Sequence, residues 1–264
     1  MTTTTRAIAL TIAGSDSGGG AGIQADLKTF ARYGVYGTSV LTAITAQNTL
    51  GVRSWERVSP ALVRDQIDAV AEDLRPAAIK SGMLGDAEIV HAVAAGIARH
   101  GLSPYVLDPV MAATSGDPLL APDAIAAIVR ELFPLATLVT PNLDEVALLL
   151  GEPVRDVPAM ERAARALVSQ LGARAALVKG GHLEGSELVD VYFDGAAVQR
   201  FTHPRIATTS THGTGCTLSA AIAASLALGH PLREAVEGGL AYVARAIASA
   251  PGLGAGHGPL DHFA

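Results

Sequence analysis

Cys216 is the only cysteine in the chain, and it lies in the stretch Ser210-Thr211-His212-Gly213-Thr214-Gly215-Cys216-Thr217. Leu218, Ile222 and Leu226 then recur four residues apart among alanines, which predicts a helix starting at the end of that stretch. Two glycines two apart leave backbone N–H groups uncovered, and the first turn of a helix leaves its own unpaired. Loop and helix together make a pocket for an anion, with the helix dipole adding partial positive charge. A thiol at a helix N-terminus has its thiolate stabilised, so Cys216 is placed to act as a base or nucleophile. The alternative is a glycine-rich turn with a buried structural cysteine. Taken alone, the stretch leaves both open.

Asp108, Asn142, Glu145 and Lys179 each follow a predicted strand, and the strands are three different ones. All four would face one edge of a parallel sheet. Two carboxylates and a lysine converging there suit a Mg²⁺-bound polyphosphate, with hard oxygen ligands for the metal and a cation for phosphate oxygens. Asn142 and Glu145 also form a plain capping box, and Asp108 before Pro109 suits a turn. Capping explains neither Asp108 nor Lys179. Gln47, in the polar cluster Ala46-Gln47-Asn48-Thr49 past another strand, is either a ligand contact at that edge or a solvated loop residue. The glycine loop 14–22 places Asp16, within it, and Asp26, just beyond it, near the start of a helix, where a carboxylate complements the helix dipole. His91, His100, His203, His230, His257 and His262 show no metal-ligand spacing and read as surface or packing.

The elements that must position these residues alternate. Strands are expected at 8–13, 39–45, 77–80, 105–107, 137–139 and 175–178, and a hairpin at 188–193 and 198–201 turns at Asp194-Gly195. Helices are expected at 23–33, 60–74, 87–99, 121–132, 142–150, 159–171, 215–228 and 232–249. The small polar segment 112–117, within 111–118, would serve as a mobile flap. No repeat or linker interrupts the pattern, so one α/β domain over 1–264 is expected, a three-layer α/β/α sandwich with a mostly parallel central sheet. The first glycine loop fails the dinucleotide-binding spacing, because the third glycine would fall on Ile23 or Ala25, and no P-loop motif occurs.

Composition narrows the class. Apolar residues make up 49% of 264 and aromatics 4%, so the core is built from Ala, Val, Leu and Ile. A net charge of −6 without a basic cluster argues against nucleic acid as a partner. The run at 7–13 is too short for a convincing signal peptide, and the apolar part of 213–232 is broken by Gly229 and Pro231, so no membrane span is expected. One cysteine excludes an internal disulfide and fits a reducing compartment, and a cytoplasmic protein is expected.

The His-Gly-Thr-Gly-Cys-Thr form of 212–217 resembles the anion-hole segment of the ribokinase superfamily, in its hydroxymethylpyrimidine/phosphomethylpyrimidine kinase branch. Most sugar kinases of that superfamily carry Asp where this chain has Cys216. The likeness continues, in order, at 13–38, 47–51, 80–85, 108–120, 140–145, 179–182, 211–219 and 256–263. It implies a ribokinase-like fold and ATP-dependent phosphorylation of 4-amino-5-hydroxymethyl-2-methylpyrimidine, then of its phosphate, in thiamin biosynthesis. It further implies that Asp108 and Glu145 order Mg²⁺ and phosphates, with Asn142 beside them, and that Lys179 stabilises transferring charge. Gly213, Thr214 and Gly215 would form the anion hole, with Cys216 as base. Met83 and Val110 would line the pyrimidine pocket beside Gly14 and Gln47, with Asp26 among the substrate contacts, in a homodimer. A pyridoxine/pyridoxal kinase and a catalytically idle ligand-binding module on the same fold are the alternatives. Retention of Asp108, Glu145, Lys179 and Cys216 together argues against the idle module.

Overall fold

Short apolar runs alternating with amphipathic stretches place an eight-stranded sheet between two helical layers. The computed structural model describes residues 6–113, 119–181, 183 and 185–264, so positions 114–118 of the expected flap lie outside the described residues, as does His182. The strands are β1 (Ile8–Ala13), β2 (Tyr36–Leu41), β5 (Ala78–Ser81), β6 (Tyr105–Leu107), β7 (Leu138–Val139), β8 (Ala176–Val178), β9 (Glu187–Phe193) and β10 (Val198–Pro204). They run in the order β10-β9-β8-β7-β6-β5-β1-β2. From β8 to β2 every pairing is parallel, and the β9–β10 hairpin closes one edge antiparallel. Every residue of β5 to β8 is buried, as expected of strands covered on both faces.

Helices α2 (Pro60–Asp73), α3 (Ala87–His100), α4 (Pro122–Ala127), α5 (Leu143–Leu150) and α6 (Val157–Ser169) cover one face, around Ile67, Ile79, Val93 and Leu107. The other face carries α1 (Gly22–Arg32), α7 (Thr214–Ala227) and α8 (Leu232–Ala248), packed through Phe30, Val106, Ile222 and Leu240. Local chemistry sets the helix starts. The side chains of Ser59, Asp86, Asn142 and Asp156 cap α2, α3, α5 and α6. Among the described residues no helix is long and apolar enough to cross a membrane.

Two expectations need correction. The strand at 39–45 is two strands in two sheets. Thr42 is fully buried where the chain turns out of β2, with its N–H on the Ala13 carbonyl (3.1 Å) and its hydroxyl on the Met83 carbonyl (2.6 Å). Beyond it, β3 (Ala43–Asn48) pairs antiparallel with β4 (Gly51–Arg57), a strand the sequence pattern did not disclose, as a separate hairpin over the sheet edge. Arg57 ties the base of that hairpin to Asp86 and Glu88, both at 2.7 Å. The helix at 121–132 is α4 followed by a π-helical turn, Ile128–Leu132, and a 3-10 turn, Phe133–Leu135, in which Pro134 lacks the N–H that a regular helix would use.

Candidate active site

β1 lies between β2 and β5, so the order of the sheet reverses there, and the crevice beyond the carboxyl ends of β1 and β5 is where open parallel sheets bind ligands. The glycine loop 14–22 and the loop before α7 meet in it. Gly213 has φ +80°, and a Cβ on it would stand 1.9 Å from the Gly20 carbonyl oxygen, so the two loops touch backbone to backbone. Asp16, 1% exposed, clamps them together. Its carboxylate accepts the N–H groups of Gly18, Gly20 and Ala21 at 2.8–2.9 Å and pairs with His212 Nε2 at 2.8 Å. Burial pushes the Asp16 pKa up, but His212 and the backbone donors outweigh it and hold the carboxyl below its usual value. Dipole complement understated Asp16, and His212 was passed over. The signal available was an aspartate with Gly at the second and fourth positions after it, the pattern of a carboxylate collecting its own loop's N–H groups.

At the start of α7 the Thr214 N–H turns back to the Thr211 carbonyl at 3.3 Å. The N–H groups of Gly213, Gly215 and Cys216 find no acceptor among the described residues, so of the expected Gly213–Gly215 set only the Thr214 donor is already committed. Beside them stand the charges. The β-bridge between Asn142 and Lys179 brings two loops together. Lys179 Nζ donates to Asp108 Oδ1 at 3.0 Å, and Thr140 and Ser219 hydroxyls reach the same carboxylate at 3.2 and 3.4 Å. A Cβ on Gly215 would lie 3.1 Å from Lys179 Nζ, which sets the ammonium against the helix N-terminus. Burial disfavours the Lys179 ammonium, yet Asp108 and Glu145 outweigh that and raise its pKa.

Asn142 and Glu145 form the reciprocal capping box, with Glu145 Oε2 on the Asn142 N–H at 2.7 Å and Asn142 Oδ1 on the Glu145 N–H at 2.9 Å. Burial, helped by the charge of Asp108 and opposed by Lys179, raises the Glu145 carboxyl to about 7. Capping and a place among the charges are thus both present. The Asn142 carboxamide oxygen is used by the cap, so its amide N–H₂ is the part left for a ligand.

Cys216 is half-buried, and its thiol behaves opposite to the expectation from helix position. Burial pushes it up to about 11, Lys80 opposes this, and Asp26 and Asp108 add to it. Desolvation beats the helix dipole here. Asp26 also departs from the expectation of substrate contact. It is 0% exposed, accepting from Thr11 Oγ1 at 2.6 Å and from Lys80 Nζ at 3.1 and 3.2 Å, so no face of the carboxylate is left for a ligand. Its partner Lys80, equally buried, was not singled out from the sequence. A lysine inside a buried four-residue strand was the signal available.

The apolar end of the crevice gathers Ala43, Met83 and Leu119, with Val52, Val110 and Ala113 packed against them. A Cβ on Gly14 would stand 2.9 Å from Met83 Sδ, so Gly14, Met83 and Val110 line one small apolar cluster under the β3–β4 hairpin. Gln47 lies within β3 rather than in a loop, at a bulge, opposite Val52 of that cluster. Its backbone is fixed by Ser17, whose hydroxyl accepts from Gln47 N–H (2.8 Å) and donates to its carbonyl (2.6 Å).

Comparison with known proteins bears on the family and the fold. A family model described as phosphomethylpyrimidine kinase matches residues 16–261. The hydroxymethylpyrimidine/phosphomethylpyrimidine kinase of Rhizobium meliloti is 57% identical over 260 residues, covering 97% of each chain. A thiamine biosynthesis bifunctional protein of Geobacter sulfurreducens is 52% identical over 258 residues, 98% of this chain and 52% of its own length. Among solved structures, the ADP complex of Bacillus subtilis pyridoxal kinase superposes with a TM-score of 0.91 at 37% identity, covering 97% of both chains.

Proposed function

The chain belongs to the phosphomethylpyrimidine kinase family, and from that premise we propose how its own residues divide the work. It is a kinase of hydroxymethylpyrimidine and of its phosphate, acting in thiamin biosynthesis on a ribokinase-like α/β/α fold. ATP is the phosphoryl donor. The apolar cluster of Met83 and Val110 holds the ring, with Gly14 leaving room for it. The Gln47 carboxamide offers donor and acceptor to the aminopyrimidine edge. The alcohol oxygen attacks the γ-phosphorus, the bond to the ADP oxygen breaks, and the alcohol proton passes to the Cys216 sulfur. Open N–H groups at the start of α7 and the Lys179 ammonium receive the charge that spreads over the phosphoryl oxygens.

The adjoining carboxylates fit a divalent cation. Burial first, and then the charge of Asp108, pushes Glu145 to about 7, a cost that a cation held there would relieve. Asp108 and Glu145 would hold Mg²⁺, the Asn142 amide N–H₂ would donate to phosphate oxygens, and the cation would neutralise those oxygens. The observation that carries this reading is the Lys179–Asp108 pair set against Gly215, which joins the acidic edge to the anion-binding helix in one place. The reading also takes the chain as a single domain, cytoplasmic and homodimeric; sedimentation tests the last of these.

Substrate-dependent ADP release separates the pyrimidine from pyridoxal, the substrate class named in the similar Bacillus subtilis structure. With the ring covering it, a Gln47 amide left unpaired would cost up to roughly 1–3 kcal/mol, about 5- to 150-fold in preference. We expect kcat/KM for the hydroxymethylpyrimidine to exceed that for pyridoxal by at least about tenfold, and Gln47→Leu to narrow the gap. Higher efficiency with pyridoxal would reassign the activity, and silence with both would mark an idle module.

A further inference from the structure

No step of phosphoryl transfer touches Lys80 or Asp26, since neither has any exposed surface. A buried ion pair is also a poor stabiliser, because well-packed apolar residues of similar volume often do as well or better. Placement is more telling. Thr11 and Lys80 stand opposite each other in the register of β1 and β5, on the sheet face covered by α1 and α7. From α1, Asp26 takes the donors of both. A Cβ on Gly82 would lie 3.1 Å from Lys80 Nζ and 4.0 Å from Val110 Cγ2, so the ammonium stands just behind the wall of the substrate crevice. α7, whose first turn carries Cys216, packs on β1, β5 and β6 above it.

We propose that Lys80 is a positioning residue for the proton transfer: its ammonium, fixed on Asp26, is the counter-charge that lets Cys216 exist as a thiolate in buried surroundings. The proposal rests on Cys216 being the proton acceptor. The alcohol proton goes to sulfur as the oxygen–phosphorus bond forms and the bond to ADP breaks; Lys80 neither gives nor takes a proton. Charged groups face Cys216 from every element packed there: Lys80 from β5, Asp26 from α1, Asp108 beyond β6 and Lys179 beyond β8. Lys80 is the strongest of those that favour the thiolate, while both carboxylates oppose it. The two members of the pair therefore act on sulfur with opposite signs, which no packing role would produce.

The chain's single cysteine makes this measurable, because iodoacetamide alkylation reads Cys216 alone. Below the thiol pKa the rate follows the thiolate fraction, and an opposite charge nearby shifts a pKa by about one to three units. Part of that is offset, since a more basic thiolate is intrinsically more nucleophilic. At a fixed pH near 8, K80M should slow alkylation of the full-length protein by at least about threefold, and D26N should speed it by a similar factor. K80M can fail to fold through an uncompensated Asp26, so the double variant K80M/D26L, with the pair replaced by apolar groups, is the second arm and should also slow it. Unfolded samples serve as the control for equal intrinsic reactivity. Opposite signs for D26N and the double variant support the proposal; unchanged rates, or changes in the same direction, overturn it. Alkylation does not depend on turnover, so failure of Cys216 as the catalytic base would show separately, as normal activity of the Cys216→Ala variant.

Discussion

Cys216 has to lose its own proton before it can take one from the alcohol. Burial holds the thiol near 11, and the half-buried sulfur stays protonated in most molecules at neutral pH. The thiolate fraction then grows about tenfold per pH unit below that value. Phosphorylation of the alcohol should therefore accelerate as pH rises from about 7 to 9, and Cys216→Ala should be slower by roughly 10²–10⁴-fold and lose the slope. The phosphate nucleophile of the second reaction is already ionised at neutral pH, so that step should depend on Cys216 less. Steady-state rates with each substrate over that pH range decide the matter. A flat wild-type profile together with near-normal turnover of the Ala variant would leave the thiol a packing group.

At the scale of elements, the site depends on two loops in backbone contact, which predicts an asymmetric response of two glycines. Gly213→Ala would place a methyl 1.9 Å from the Gly20 carbonyl at a positive φ, so the loops must part and the donors at the start of α7 lose their aim. Removing one such donor from a developing charge costs on the order of 10²-fold in kcat, and this variant should lose at least that. Gly238→Ala, in the middle of α8 with open space around it, should leave kcat alone and gain about 0.5–1 kcal/mol of stability. Equal behaviour of the two in activity assays and urea melts would sink the idea. The same contrast explains what was legible in the sequence. The capping box at 142–145 and the strand ends at Asp108 and Lys179 are written in residues a few positions apart, and the structure has them as read. The break at Thr42 is not, because a β-branched residue in an apolar run looks like more strand; only its bonds to Ala13 and Met83 end it. Nor is the Lys80–Asp26 pair, which joins residues 54 positions apart across the packing of α1 on the sheet, where β1 and β5 set Thr11 beside Lys80. The rise of the Cys216 thiol is not legible either, since a helix start is local information and desolvation is not.

Across the whole molecule, the tail after α8 returns to brace the site. His257 N–H bonds the Thr49 carbonyl at the tip of the β3–β4 hairpin (2.8 Å), and Gly258 accepts from His212 N–H (3.1 Å). His262, 3% exposed, pairs through Nε2 with the Thr217 hydroxyl of α7 at 3.2 Å, and its carbonyl accepts from Tyr242 at 2.8 Å. Burial first, then the positive charge of Lys28, lowers its pKa from 6.5 to about 4. The unfolded chain thus binds a proton between about pH 6.5 and 4 that the folded chain refuses. Stability from this residue is fully present above about 6.5 and is lost as pH falls toward 4. The shift corresponds to on the order of 3 kcal/mol. His262→Gln removes the titrating group, so the stability of the wild-type protein should fall more steeply than that of the variant between pH 6.5 and 4. Urea unfolding at half-unit steps measures the difference, and it should be constant above 6.5 and close by about 3 kcal/mol at the acid end. Parallel curves through the whole window would mean that His262 titrates alike in both states. Because Thr217 follows Cys216 directly, protonating His262 also loosens the first turn of α7, and alcohol phosphorylation should decline over the same acid window in the wild type more than in the variant.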